Sequence, residues 1–237
     1  MSILNEEQIK QILNEANKST ALYGGGFKPP TKGHFEVVEK ALKEYPEIDK
    51  LKIFVGSKER DGVSQEESIL VWEVYTQHLP MKVEIIPSTK PPIQAIYNYA
   101  KENTKEDIYW IIGAREGNEE DFNDIEKRTS SLGKYQNLTL KPIVTTDGSV
   151  SGTNARLALK TRNQEEFNKF LPSQLDDKDK DEVFNILSPT EEIEENQKLN
   201  EGRYDTISNK ISSNIFRYWK ENIDQGLVTF ENSYEHE

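Results

Sequence analysis

Cysteine is absent from this 237-residue chain. That absence excludes a disulfide scaffold, thiolate catalysis and Cys-ligated zinc or iron–sulfur sites. Histidine occurs three times, too few to build a His-ligated centre, so no residue is assigned to a metal. No apolar run approaches the ~20 residues of a membrane span. Met1 opens onto a polar amphipathic stretch in place of a signal peptide. Together these absences predict a soluble cytoplasmic protein with no membrane partner.

Apolar residues are scarce as well. They make up 34% of the chain, against about 45–50% in a globular norm that also counts Gly. Charged residues reach 30% and the net charge is −12. A surplus of acid speaks against a nucleic-acid partner, whose protein surface is basic. The surplus is unevenly spread, however. Residues 164–237 hold 18 acidic and 8 basic side chains, whereas residues 1–163 hold 24 and 22. The first two thirds are close to neutral and free to host an anion; the acidic third reads as a solvated face. The length suits one sizeable domain with an appendage, large enough to need no metal or disulfide staple.

Periodicity supplies the organisation. Residues 5–17 carry Ile9, Ile12 and Leu13 at helical spacing, an N-terminal helix within a segment 1–18. Five short segments rich in aliphatic and β-branched residues follow, at 20–23, 51–55, 83–87, 108–112 and 138–144. Helical patterns at 33–45, 65–78, 93–103 and 121–132 alternate with them. Such alternation predicts an α/β fold with a five-stranded parallel sheet covered by helices on both faces. Sheets of this kind bind ligands at the carboxyl ends of their strands, near the point where strand order reverses. One or two further helices are expected around Pro172, closing a domain at 19–187. An acidic helical extension, 188–237, then includes a stripe of Ile207, Ile211, Ile215 and Trp219 that requires a covering surface.

Two stretches carry chemistry. The first runs Leu22-Tyr23-Gly24-Gly25-Gly26-Phe27-Lys28-Pro29-Pro30-Thr31-Lys32-Gly33-His34. A strand ends in glycines that let a nucleotide approach the backbone, the chain turns through two prolines, and Gly33-His34 opens a helix whose free N–H groups favour a phosphate. It is not a P-loop, which would end in Gly-Lys-Ser/Thr. The second runs Thr145-Thr146-Asp147-Gly148-Ser149-Val150-Ser151-Gly152-Thr153-Asn154-Ala155-Arg156 and places another helix start at the same sheet edge. Arg156 falls in its first turn, where the helix dipole disfavours a cation unless an anion lies between. A bound phosphate is the natural anion.

In this order and separation the two stretches resemble the nucleotidylyltransferase superfamily, which includes phosphopantetheine adenylyltransferases and cytidylyltransferases. The first matches the family's Gly-Gly-Ser-Phe-Asp-Pro-x-(His/Thr)-x-Gly-His, and the second its Ile-Ser-(Ser/Thr)-Thr-x-x-Arg. The resemblance covers roughly residues 19–187 and includes Phe170-Leu171-Pro172. It implies a Rossmann-like fold and transfer of a nucleotidyl group from ATP or CTP to a phosphorylated small-molecule acceptor, releasing pyrophosphate, with Mg2+ arriving on the triphosphate. By motif position, His34 would donate to the α-phosphate and Thr31 would place the acceptor. Arg156, Ser151 and Thr153 would hold the outer phosphates. Gly24, Gly25, Gly26, Phe27, Lys28, Gly33 and Gly113 would frame the nucleotide. Lys58, with Arg60 as its rival, and Arg115 would supply further cations. His78, Trp72, Tyr109 and Trp110 read as packing or helix-end residues.

The departures keep alternatives open. Thr31 in place of the first His favours ATP over CTP, while Thr146 to Ser151 echoes the cytidylyl branch. Lys28 stands where most members have Asp, and Gly26 and Gly152 replace hydroxyl residues. A catalytically weak nucleotide-binding or assembly module, docking a partner protein through its acidic tail, is therefore the second reading. An aminoacyl-tRNA-synthetase-like activation domain is a weaker third, lacking a basic tRNA surface. A homo-oligomer is compatible with the sequence. Residues 200–205, Asn200-Glu201-Gly202-Arg203-Tyr204-Asp205, resemble short stretches of bacteriophage virion proteins, which would place the protein in a host cytoplasm.

Overall fold

A computed structural model describes residues 19–145 and 152–188. The expected N-terminal helix, the residues 146–151 that include Ser151, and the acidic extension with its apolar stripe lie outside the described residues. Twelve helices and strands follow in order: β1 (Ser19–Gly25), α1 (Lys32–Glu44), β2 (Ile48–Gly56), α2 (Gln65–Thr76), β3 (Val83–Ser88), α3 (Pro92–Glu102), β4 (Asp107–Arg115), α4 (Glu119–Ser131), β5 (Leu138–Thr145), α5 (Gly152–Lys160), α6 (Gln164–Asn168) and α7 (Asp177–Leu187). A single 3₁₀ turn, Leu132–Lys134, ends α4. Within the described residues the five expected strands and the four helices between them form, and α6 and α7 answer the one or two helices expected around Pro172.

All five strands are parallel, in the order β3-β2-β1-β4-β5. This is a Rossmann-like α/β sheet. β1 lies at its centre and is sealed on both faces, with Ala21 and Leu22 wholly buried. Tyr23 stands in register with Ile53 of β2 and Ile111 of β4. One core layer joins the sheet to α1, α2 and α5–α7 through residues such as Phe35, Trp72, Phe167 and Val183. The other packs Ile96 and Ala100 of α3 on Leu22, Phe54 and Trp110. Because crossovers between parallel strands are right-handed, the change of helix face at α3 coincides with the return of the chain from β3 to β4. Strand order reverses between β1 and β4, and the crevice of the fold opens at their carboxyl ends.

Local sequence fixes the helix starts. Ser64 accepts from the Glu67 amide at 3.1 Å and Glu67 Oε2 accepts from the Ser64 amide at 2.7 Å, a reciprocal cap that satisfies two otherwise orphan donors of α2. Asn118, Asn163 and Asp176 cap α4, α6 and α7. His78 lies just past α2 and places Nε2 2.8 Å from Asp179 Oδ2, tying the end of α2 to α7.

Candidate active site

The loop after β1 is held from several sides. Phe27 takes a left-handed conformation, φ 50°, and turns its ring into the core against Tyr23, Trp72 and His34, with centroids 5.1, 5.3 and 5.0 Å away. A Cβ on Gly25 would stand 2.6 Å from that ring, so the glycine is required by the loop's own aromatic packing. Gly26 is different: it is exposed, and a Cβ there would meet nothing within 4 Å. Of the three glycines, it is the one that leaves its space to a ligand. The peptide bond between Lys28 and Pro29 is cis, and the Tyr75 hydroxyl donates to the Pro30 carbonyl at 3.2 Å.

Lys28 corrects one expectation. Its ammonium is buried and donates to the Gly26 and Gly56 carbonyls at 2.9 and 3.0 Å, joining the carboxyl ends of β1 and β2. Two of its three donors are therefore spent on backbone. Its pKa is lowered by burial, with Glu66 and Glu67 pulling the other way. It is a strut of the loop before it is a phosphate ligand.

Thr31 caps α1, and here His34 plays the part that Glu usually has in a capping box. His34 Nδ1 accepts the Thr31 amide proton at 3.0 Å. A backbone N–H can only donate, so Nδ1 is unprotonated and the neutral ring carries its proton on Nε2. Burial lowers the His34 pKa to about 4, which keeps the ring neutral at physiological pH. The Thr31 hydroxyl, itself buried, also sits 3.0 Å from Nδ1. It helps to hold the imidazole, and Thr31 also lines the cleft. α1 reaches this position because Gly113 on β4 lacks a side chain: a Cβ there would come within 2.7 Å of Val37 Cγ2.

A cleft of about 960 Å³ opens around these groups. It brings together the loop after β1, His34 of α1, Lys58 after β2, Gly113 and Arg115 of β4 and Arg156 of α5. Its walls hold six cationic side chains, Lys28, Lys58, Arg60, Arg115, Arg128 and Arg156, against the carboxylates of Asp121 and Asp124. A chain with net charge −12 thus keeps a positive cleft, which suits a polyanion.

Three of the cleft arginines already carry a carboxylate from the chain, and Arg128 does so through Asp124. Arg115 meets Asp121 through Nε and Nη2 at 2.8 and 2.9 Å, and its amide also donates to Asp121. The pairing holds the Asp121 pKa below its ordinary value. Arg156 is buried. Its Nε meets Asp61, its Nη1 the Lys28 carbonyl at 2.8 Å, and its Nη2 the Thr153 hydroxyl at 3.2 Å. Among the described residues, Asp61 is the carboxylate that meets Arg156 at the start of α5. Thr153 is exposed, and its hydroxyl supports Arg156. Gly152 leaves room for the guanidinium, since a Cβ would be 3.2 Å from Nη1.

No family model matches the chain, and no curated protein does. Among solved structures, Thermotoga maritima TmcAL bound with alpha-thio ATP superimposes with a TM-score of 0.50 at 12% identity, covering 72% of this chain and 55% of its own. The likeness is one of fold. This chain thus spans just over half the length of TmcAL. Plasmodium falciparum nicotinic acid mononucleotide adenylyltransferase complexed with NaAD gives a TM-score of 0.47 at 16% identity, covering 71% of this chain and 98% of that one.

Several cleft residues escaped the sequence reading. Pro92 and Ile93 of α3 line the cleft. There the Arg128 guanidinium lies 5.3 Å from the Trp110 ring and pairs with Asp124. Trp110, expected as sheet core, is buried but still lines the cleft. Asp61 had a signal in Asp61-Gly62, a turn dipeptide. Asp121, three residues after the cap Asn118, had a weaker one.

Proposed function

We propose that the protein is a nucleotidyltransferase that moves a nucleoside monophosphate from a magnesium nucleoside triphosphate to a phosphate-bearing acceptor. An oxygen of the acceptor phosphate attacks the α-phosphorus and a P–O bond forms. The bond to the α,β-bridging oxygen breaks, and pyrophosphate leaves with the electron pair. The acceptor phosphate is already an anion at neutral pH, so no general base is needed. Catalysis reduces to positioning and to stabilising charge on the α-phosphate.

The observation that carries this reading is the state of His34. A neutral imidazole, with Nδ1 engaged by the Thr31 amide and its pKa near 4, offers a fixed Nε2–H donor at a helix N-terminus. Such a group stabilises developing charge without exchanging a proton. Lys58, Arg60 and Arg156 are suited to the β- and γ-phosphates, and Arg115, fixed by Asp121, to the acceptor. A magnesium ion carried by the triphosphate would offset part of its charge. TmcAL, similar in fold, was crystallised with alpha-thio ATP, and Thr31 favours ATP over CTP.

The test is pyrophosphate release from a panel of triphosphates with phosphorylated acceptors. Activity should fall at least about a hundredfold in His34→Ala and in Arg156→Ala. Undiminished activity in both variants refutes the mechanism. The internal pairing of Arg115 and Arg156 favours a second reading, a nucleotide-binding module without turnover. Calorimetric binding of triphosphate with no product from any acceptor would select it.

A further inference from the structure

We infer that Asp61 is a built-in place-holder for the triphosphate: its carboxylate occupies the anion seat on Arg156 and must leave when the ligand's outer phosphates enter. The inference rests on the proposed function and concerns how that site is kept in readiness.

The turn that presents Asp61 is built for the purpose. Arg60 and Val63 exchange two backbone hydrogen bonds, each 3.1 Å. Asp61 and Gly62 between them have φ values of 50° and 81°, the two left-handed central residues of a type I′ turn. Val63 anchors the turn in the core. Asp61 meets Arg156 of α5, with 64% of its side chain exposed, while that of Arg156 is 7% exposed.

The three contacts of Arg156 differ in kind. The Lys28 carbonyl and the Thr153 hydroxyl belong to the frame around the guanidinium. Among the described residues Asp61 is the charged partner, is largely exposed, and stands on the connection between β2 and α2. A buried guanidinium without an anion is costly, and the Asp61 carboxylate meets that need. An incoming triphosphate, carrying several negative charges where Asp61 carries one, meets it better. Lys58 and Arg60 lie on the same loop and line the same cleft. Displacement of Asp61 therefore moves two cations together with one anion. Asp61 is a positioning residue, since it acts through Arg156.

Asp61→Asn tests this. Asparagine tolerates the left-handed conformation as aspartate does, so the turn is kept and the charge alone is lost. Inorganic triphosphate is titrated calorimetrically into the full-length wild-type and variant chains. The variant should bind about three- to tenfold more tightly at low salt, with the gap narrowing as salt is raised. If the wild type binds and the variant binds equally or more weakly, the place-holder role is overturned and the proposed function stands. If neither binds at millimolar concentration, both fall. Should Asp61→Asn not fold, as judged by its urea midpoint, Asp61→Gly keeps the positive φ and repeats the comparison.

Discussion

Replacing His34 with glutamine would remove a titration and leave the cap in place, because a Gln amide oxygen accepts the N-cap N–H in ordinary capping boxes. In the wild type, burial lowers the pKa of His34 from 6.5 to about 4. The unfolded chain therefore takes up this proton first. Above pH 6.5 the group has no effect on stability. As the pH falls from 6.5 towards 4, the unfolded state gains protons that the folded state does not, and stability declines; below that window the loss is constant. The slope approaches ~1.36 kcal/mol per pH unit. By pH 5 the loss amounts to about 2 kcal/mol, an upper figure because the ring edge reaches the cleft and its water. A domain has only about 5–15 kcal/mol in total. The assay is urea denaturation of both proteins at intervals from neutral pH down to pH 5. Subtracting one from the other at each pH cancels the carboxylates they share. The stability difference should shift by up to about 2 kcal/mol in favour of the variant on acidification. A difference that stays constant within about 0.5 kcal/mol would refute a neutral, buried imidazole, and with it the fixed Nε2–H donor.

Three further expectations concern the same edge of the sheet. Gly113→Ala should cost about 1–3 kcal/mol by overpacking, since χ1 of Val37 is stiff in a helix. Combined with Val37→Ala, which vacates the contested space, it should cost at least about 1 kcal/mol less than the sum of the two single changes. Urea midpoints give the cycle, and strict additivity would mean that α1 does not rest on Gly113. Gly25→Ala should destabilise by about 1–3 kcal/mol through its collision with the Phe27 ring, whereas Gly26→Ala should stay within about 0.5 kcal/mol yet weaken triphosphate binding. Thermal melts and calorimetry separate the two effects. Asp121→Asn should release Arg115 and raise the KM for the phosphorylated acceptor severalfold with triphosphate affinity unchanged; equal losses in both would move Arg115 to the nucleotide.

The fold was readable because its determinants are local or periodic. Short aliphatic strands alternate with helices that carry their own caps, such as Ser64 with Glu67. A chain that alternates in this way has few ways to bury its strands other than a parallel sheet. The cleft was readable where function imposes order along the chain, as in the glycines and His34 after β1 or Arg156 in α5. What escaped was pairing between distant positions. Nothing near Arg156 in sequence announces Asp61, which is 95 positions away, and nothing at Trp110 announces Arg128. Glycine proved ambiguous too. Gly24, Gly25 and Gly26 are alike as letters, but Gly25 answers to Phe27 while Gly26 faces the open cleft.

The phosphate loop hangs from β1, the central strand of the sheet, bonded to β2 on one side and β4 on the other. Amides of such a strand exchange with solvent only when the whole domain opens. The loop bearing Phe27 begins directly after that strand and leads into α1 with His34, so its rest geometry is as durable as the domain. Asp61 sits instead on a connection whose exposed residues can shift without disturbing the sheet. The cleft thus pairs a jaw that yields only on global unfolding with one that can adjust within the native state, and hydrogen exchange should separate the two by orders of magnitude.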